Sequence, residues 1–106
     1  MFGFLKKIFA DDSTALVDAL RQGASIIDVR SADEFSSGSV AGAINIAHTD
    51  ISKAKKTIAK LNQPIIVCCA SGMRSSMAMQ DLNKMGFDQV INGKTWNRVQ
   101  QLQQSV

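Results

Sequence analysis

Apolar residues along this chain switch repeatedly between a helical and an extended spacing. Leu16, Val17, Ala19 and Leu20 fall at helical intervals, with Ser13 or Thr14 placed to cap the helix and Gly23 to stop it. Ile26-Ile27-Asp28-Val29 follows as a strand. Ser31-Ala-Asp-Glu34 is a capping box, so a short helical turn is expected that carries Phe35 inward and ends at Gly38. Ala43-Ile44-Asn45-Ile46 reads as a second strand, and Thr49 or Asp50 as the cap of a helix with Ile51, Ala54, Ile58 and Leu61 on one face. Ile65-Ile66-Val67-Cys68 is a near-continuous apolar run, the pattern of a central parallel strand buried on both sides. Past the segment Cys69-Ala-Ser-Gly-Met-Arg74 a helix should point Ala78, Leu82 and Met85 inward and close at Gly86, with Phe87 packing back on it. Val90-Ile91 make a last short strand, Asn92-Gly93 a turn, and Trp96, Val99 and Leu102 line a terminal helix. Strands and helices alternating at these lengths predict an α/β fold, a central mostly parallel sheet with helices on both faces.

The chain has 106 residues, 45% of them hydrophobic and 20% charged, enough apolar material for one core and one domain. No repeat or low-complexity linker divides it. Residues 1–12 are set off as an N-terminal amphipathic extension, and 13–106 as the domain. Phe2, Leu5 and Phe9 would share a helical face, read as a helix packed on the domain edge rather than on a membrane surface. Lys6 and Lys7 follow the first apolar residues instead of preceding them and no apolar run is long enough to span a bilayer, so the expected location is the cytoplasm. A net charge of +3 favours small anionic ligands but is too low for a nucleic-acid footprint. Lys53, Lys55, Lys56 and Lys60 are expected on a solvated helix face. The adjacent Cys68 and Cys69 match no metal-site spacing and cannot staple distant segments; bridging them to each other would strain the backbone.

Cys69 is the residue with chemistry to offer. In an open parallel sheet ligands bind past the carboxyl ends of strands, where loops lead into helix N-termini, and Cys69 falls at such a place. Backbone N–H groups from Ala70 to Ser75 are free to converge on one centre, making an anion site that also stabilises a thiolate and lowers the Cys69 pKa. Cys69 is then a nucleophile without need of a general base, and the single histidine, His48, is given no catalytic part. Arg74 can orient an anionic substrate or brace the loop against Glu34 or Asp28. Cys68, on the opposite face of the strand, is expected to be inert.

Ile27-Asp-Val-Arg30, Glu34-Phe35, Gly42-Ala-Ile-Asn-Ile46, Cys69-x-x-Gly72-x-Arg74-Ser75, Gly86-Phe87 and Trp96 occur here in one order, and together they resemble a single-domain rhodanese over about residues 13 to 98. The resemblance implies a sulfurtransferase: Cys69 takes a sulfane sulfur from a donor such as thiosulfate, holds it as a persulfide and passes it to cyanide, a thiol or a protein acceptor. It places the substrate cradle at Ala70, Ser71, Gly72, Met73, Arg74 and Ser75, with Asp28, Arg30 and Glu34 in support, and implies neither cofactor nor metal. Two other readings stay open: a sulfur-carrying or partner-docking module without turnover, and a cysteine-dependent phosphatase or arsenate reductase. The latter needs a loop of five residues between Cys and Arg, and here there are four, Ala70 to Met73. The chain departs from the family at Ser39, where histidine is usual, at Asn92-Gly93 in place of Gly-Gly, and in lacking a charged residue between Cys69 and Arg74.

Overall fold

A computed structural model describes residues 13–106. Four strands, β1 (Ser25–Asp28), β2 (Ile44–Asn45), β3 (Ile65–Cys69) and β4 (Val90–Thr95), make one parallel sheet in the order β2-β1-β3-β4. The helices are residues 13–21 (α1), α2 (Ala32–Ser36), a 3-10 helix at His48–Lys53, α3 (Lys55–Ala59), α4 (Met73–Lys84) and α5 (Trp96–Gln104). The expected α/β architecture is present. The extension at residues 1–12 lies outside the described residues.

β3 organises the core because it is apolar on both faces. Ile65, Val67 and Cys69 join Ile27, Ile51, Ile58 and Leu82 in one cluster, under the 3-10 helix, α3 and α4. Ile66 and Cys68 join Leu16, Ala19, Val40 and Val99 in the other, under α1 and α5. Each fully buried Ile, Leu or Val side chain contributes on the order of 1.5–3 kcal/mol, so this double burial is what pins β3 at the centre. β1 leads to β2 on one side and β3 leads to β4 on the other. Ligands in such sheets bind where the connections diverge, past the carboxyl ends of β1 and β3.

Several expected elements are corrected. Ser13 is already helical, so neither it nor Thr14 caps α1. The second strand shrinks to Ile44–Asn45, and the helix expected to be capped by Thr49 or Asp50 is instead a 3-10 helix beginning at His48, broken from α3 at Ala54. Its start is set by pairing, not by a side-chain cap: the His48 N–H donates to Val29 O at 3.0 Å and the Asp50 N–H to Ala47 O at 2.7 Å. The apolar face survives the break, with Ile51 and Ile58 buried and Ala54 and Leu61 packed beside them. Phe35 is only half-buried. The Asn92-Gly93 turn is absent, because β4 runs through both residues to Thr95 and absorbs the irregularity as a register shift against β3. The left-handed residue there is Lys94, at φ 68°, not Asn92.

Candidate active site

β3 delivers Cys69 fully buried at its carboxyl end, and the chain then turns through Ala70, Ser71 and Gly72 into α4. Gly72 occupies the N-cap of α4 at φ 99°, a conformation that glycine takes without steric cost. With no side chain there to cap the helix, the Cys69 sulfur does so. Sγ accepts the Gly72 N–H at 2.9 Å and the Ser75 N–H at 3.4 Å, and lies 3.5 Å from the Ser75 hydroxyl. Burial pushes the Cys69 pKa up, but donors from Ser75, Gly72 and Ser71 outweigh it and hold the thiol below its ordinary value. The positive end of α4 acts in the same direction.

Cys68 has the same burial and the opposite fate. Its side chain points into the other cluster, where burial in the first place and the nearby Asp28 push its pKa up to about 12. Adjacent residues on one strand thus differ because only one of them meets a ring of N–H groups.

The remaining expected residues split into two braces. Arg74 places Nη1 2.7 Å from Glu34 Oε1 and Nη2 2.9 Å from Oε2, which ties the first turn of α4 to α2. Held by Arg74 and by the Ser31 backbone, the Glu34 carboxyl drops from its ordinary 4.5 to about 2. The capping box is present, with the Ser31 N–H on Glu34 Oε1 and the Glu34 N–H on Ser31 Oγ. The second brace is buried. Arg30 Nε lies 2.9 Å from Asp28 Oδ1 and Nη2 lies 2.7 Å from Oδ2, while the same Nη2 donates to Gly38 O at 2.6 Å. The Arg30 guanidinium also stacks over Trp96 at 4.7 Å from the ring centre. Asp28, Arg30 and Glu34 therefore frame the site without touching the sulfur. Ala70, Ser71 and Met73 are exposed at its rim, and Met77 stands exposed one turn along α4 from Met73.

Asn92 was not foreseen. Its Oδ1 accepts the Ser75 hydroxyl at 2.7 Å and the Lys94 N–H at 2.9 Å, so β4 is tied to the loop that carries the sulfur. Among the described residues no group of three or more His, Cys, Asp or Glu is placed to hold a metal ion.

The rhodanese-like domain model matches residues 10–94. The chain belongs to that family. The rhodanese-like domain is 30% identical to YrkF of Bacillus subtilis over 89 residues, covering 84% of this chain and 42% of YrkF. It is 31% identical to the thiosulfate sulfurtransferase GlpE of Shewanella oneidensis over 67 residues, covering 63% of this chain and 65% of GlpE. The chain spans about half the length of the first curated relatives it matches. A solved rhodanese from E. coli with bound anions superposes with a TM-score of 0.65 at 29% identity, over 71% of this chain and 89% of that one. Among the described residues no helix of this rhodanese-like domain is long and apolar enough to cross a membrane.

Proposed function

We propose that this domain is a sulfurtransferase in which Cys69 carries a sulfane sulfur as a persulfide. The observation that supports it best is the Cys69 sulfur itself, buried at the N-terminus of α4 and held by the Gly72 and Ser75 N–H groups, an arrangement that favours the thiolate over the thiol. With thiosulfate as donor, the thiolate attacks the outer sulfur, the donor S–S bond breaks, and sulfite leaves with the bonding pair. The persulfide then gives its terminal sulfur to cyanide or to a thiolate and regenerates the Cys69 thiolate. Backbone N–H groups stabilise the anionic sulfur throughout and no proton need move at Cys69. The loop from Ala70 to Ser75 is the cradle, and the Arg74–Glu34 pair keeps its far end in place.

The carrier reading shares this chemistry and differs only in turnover. The phosphatase reading is disfavoured because the Arg74 fork, which phosphate oxygens would require, is occupied by both oxygens of Glu34. Mass spectrometry of the full chain after thiosulfate, then after cyanide, tests the proposal. One sulfur should be gained on Cys69 and lost as thiocyanate, Cys69→Ser should gain none, and Cys68→Ser should keep most of the loading. A sulfur on Cys68, or none at all with every donor tried, overturns the assignment. Cys69-dependent turnover of an aryl phosphate promotes the phosphatase instead.

A further inference from the structure

We propose that Met73 and Met77 form an apolar lip beside Cys69 that takes the hydrocarbon part of a small organic thiol, the acceptor of the sulfur; this rests on the sulfurtransferase reading above. Among the described residues the exposed large apolar side chains are Met73 at 76%, Met77 at 47% and Val106 at the chain end. Residues four apart on a helix share a face, so the two methionines stand together, and the opposite face of α4 buries Ser75, Ala78 and Leu82. Met79 and Met85 pack against the core instead. The methionines turned to solvent are thus the pair nearest the sulfur.

Met73 directly follows Gly72, whose N–H is 2.9 Å from the Cys69 sulfur. Cys69 is fully buried, so a reactant meets its sulfur across the rim at Ala70, Ser71 and Met73, all of them exposed. Residues 70–73 carry no charge, and the Arg74 fork is held by both oxygens of Glu34. What covers the lip is therefore what reacts at Cys69.

Of the two reactants, an inorganic donor such as thiosulfate has no hydrocarbon to lay on two methionines, whereas an organic thiol has. Methionine suits that contact because its flexible, polarisable side chain adapts to varied apolar shapes. The lip is also small. A stable protein interface takes about 20–30 residues a side, and two methionines beside Ala70 and Ser71 match a body of a few carbons. The acceptor thiolate, its proton already lost to water, attacks the outer sulfur of the Cys69 persulfide. The S–S bond breaks, its pair returns to Cys69 as thiolate, and the acceptor leaves as an alkyl persulfide.

The test uses N-ethyl-, N-butyl- and N-hexylmaleimide on Cys69 of the full chain, against the same series on free cysteine. Every member meets the same thiolate, so the rate ratio is independent of the Cys69 pKa and needs no sulfur transfer. A fully buried methylene is worth about fourfold and one-sided contact about twofold, so N-hexyl should outrun N-ethyl by about tenfold beyond the free-cysteine ratio. Met73→Gln and Met77→Gln, exposed changes that keep side-chain length, should each cut that gain to about threefold, and the double variant should abolish most of it. Met73→Leu should retain it, and Val106→Gln should leave it unchanged. On the persulfide-loaded protein, pentanethiol should accept sulfur faster than propanethiol with the same dependence on the two methionines. No gain with chain length, or a gain that survives in the folded double variant, overturns the proposal. A peptide cysteine flanked by leucines that accepts sulfur faster than pentanethiol overturns the small acceptor in favour of a protein segment. A methionine-dependent gain with the maleimides in a protein that takes sulfur from no donor upholds the lip and overturns the sulfurtransferase reading instead.

Discussion

Ser75 has one hydroxyl proton and three acceptors within reach: Asn92 Oδ1 at 2.7 Å, Gly72 O at 3.1 Å and the Cys69 sulfur at 3.5 Å. While Cys69 is a thiol, the proton goes to Asn92, the shortest of the three, and the Ser75 oxygen faces the S–H. When Cys69 ionises, turning the proton to the sulfur exchanges a neutral hydrogen bond, worth about 0.5–1.5 kcal/mol, for a charged one worth about 1.5–3 kcal/mol. The net gain is about 1 kcal/mol. At 1.36 kcal/mol per pKa unit, Ser75→Ala should therefore raise the Cys69 pKa by somewhat less than one unit. Asn92→Ala should do the reverse by a smaller amount, lowering the pKa by less than about half a unit, since it removes the nearest competitor for the proton while the Gly72 carbonyl at 3.1 Å remains one.

Opposite signs from two neighbouring truncations are hard to obtain from general loosening of the loop, which would expose the sulfur and return both variants toward an ordinary thiol. The assay is the rate of iodoacetamide alkylation of Cys69 against pH, run in about 1 M salt so that any shift of Lys94 is screened. Midpoints that move in the same direction in the two variants refute the shared-proton reasoning. Ser75→Thr, which keeps the hydroxyl, should restore the wild-type midpoint if the added methyl group is accommodated.

Three further outcomes follow from the braces and the packing. Arg30→Met leaves Asp28 charged and buried without its partner, so chemical denaturation should show a loss of about 3–5 kcal/mol, and a loss under 1 kcal/mol would contradict the buried pairing. Because Glu34 is lowered to about 2 in the folded chain, the stabilisation from its pairing is complete above its ordinary 4.5 and drains away as pH falls from there toward 2; melting curves of wild type and Glu34→Gln should differ at pH 6 and converge near pH 2. Gly93→Ala would place a Cβ 2.5 Å from Val99 Cγ2 and 3.0 Å from Ile66 Cγ2, overpacking that costs about 1–3 kcal/mol, or at least 4 °C in Tm by calorimetry, and a neutral Gly93→Ala would show that the contact relaxes freely.

The fold was legible wherever a segment's own residues decide its state. The apolar run Ile65–Cys68 has the pattern of a central strand and is one, extended by a residue to Cys69, and the Gly86-Phe87 closure appears as expected, with the Phe87 N–H on Leu82 O at 3.0 Å. Legibility failed where pairing with another segment decides. Thr49 and Asp50 are good caps, yet the helix there starts at His48 because the neighbouring strand end supplies the Val29 carbonyl. Asn-Gly is a turn signal in isolation, but β4, paired with β3, extends through those residues, and the left-handed conformation lies two positions past Asn92, at Lys94.

The candidate site divides along the same line. Cys69, Gly72 and Ser75 lie within seven consecutive residues, so the cap they form is a local structure and could be anticipated from the loop alone. Arg74 was legible only as a choice between substrate and brace, because its partner stands 40 residues away and nothing local chooses between them. Asn92 gave no usable signal, being 17 residues from Ser75 and read as a turn former. Its contribution exists only because β4 pairs beside β3, with Asn92 opposite Val67, and its amide oxygen meets a hydroxyl that already serves the sulfur. The chemistry of this loop is thus written locally, in one cysteine and the N–H groups after it. Its tuning is long-range, supplied by Asn92 on β4, which holds the Ser75 hydroxyl, and by Glu34 on α2, which holds Arg74.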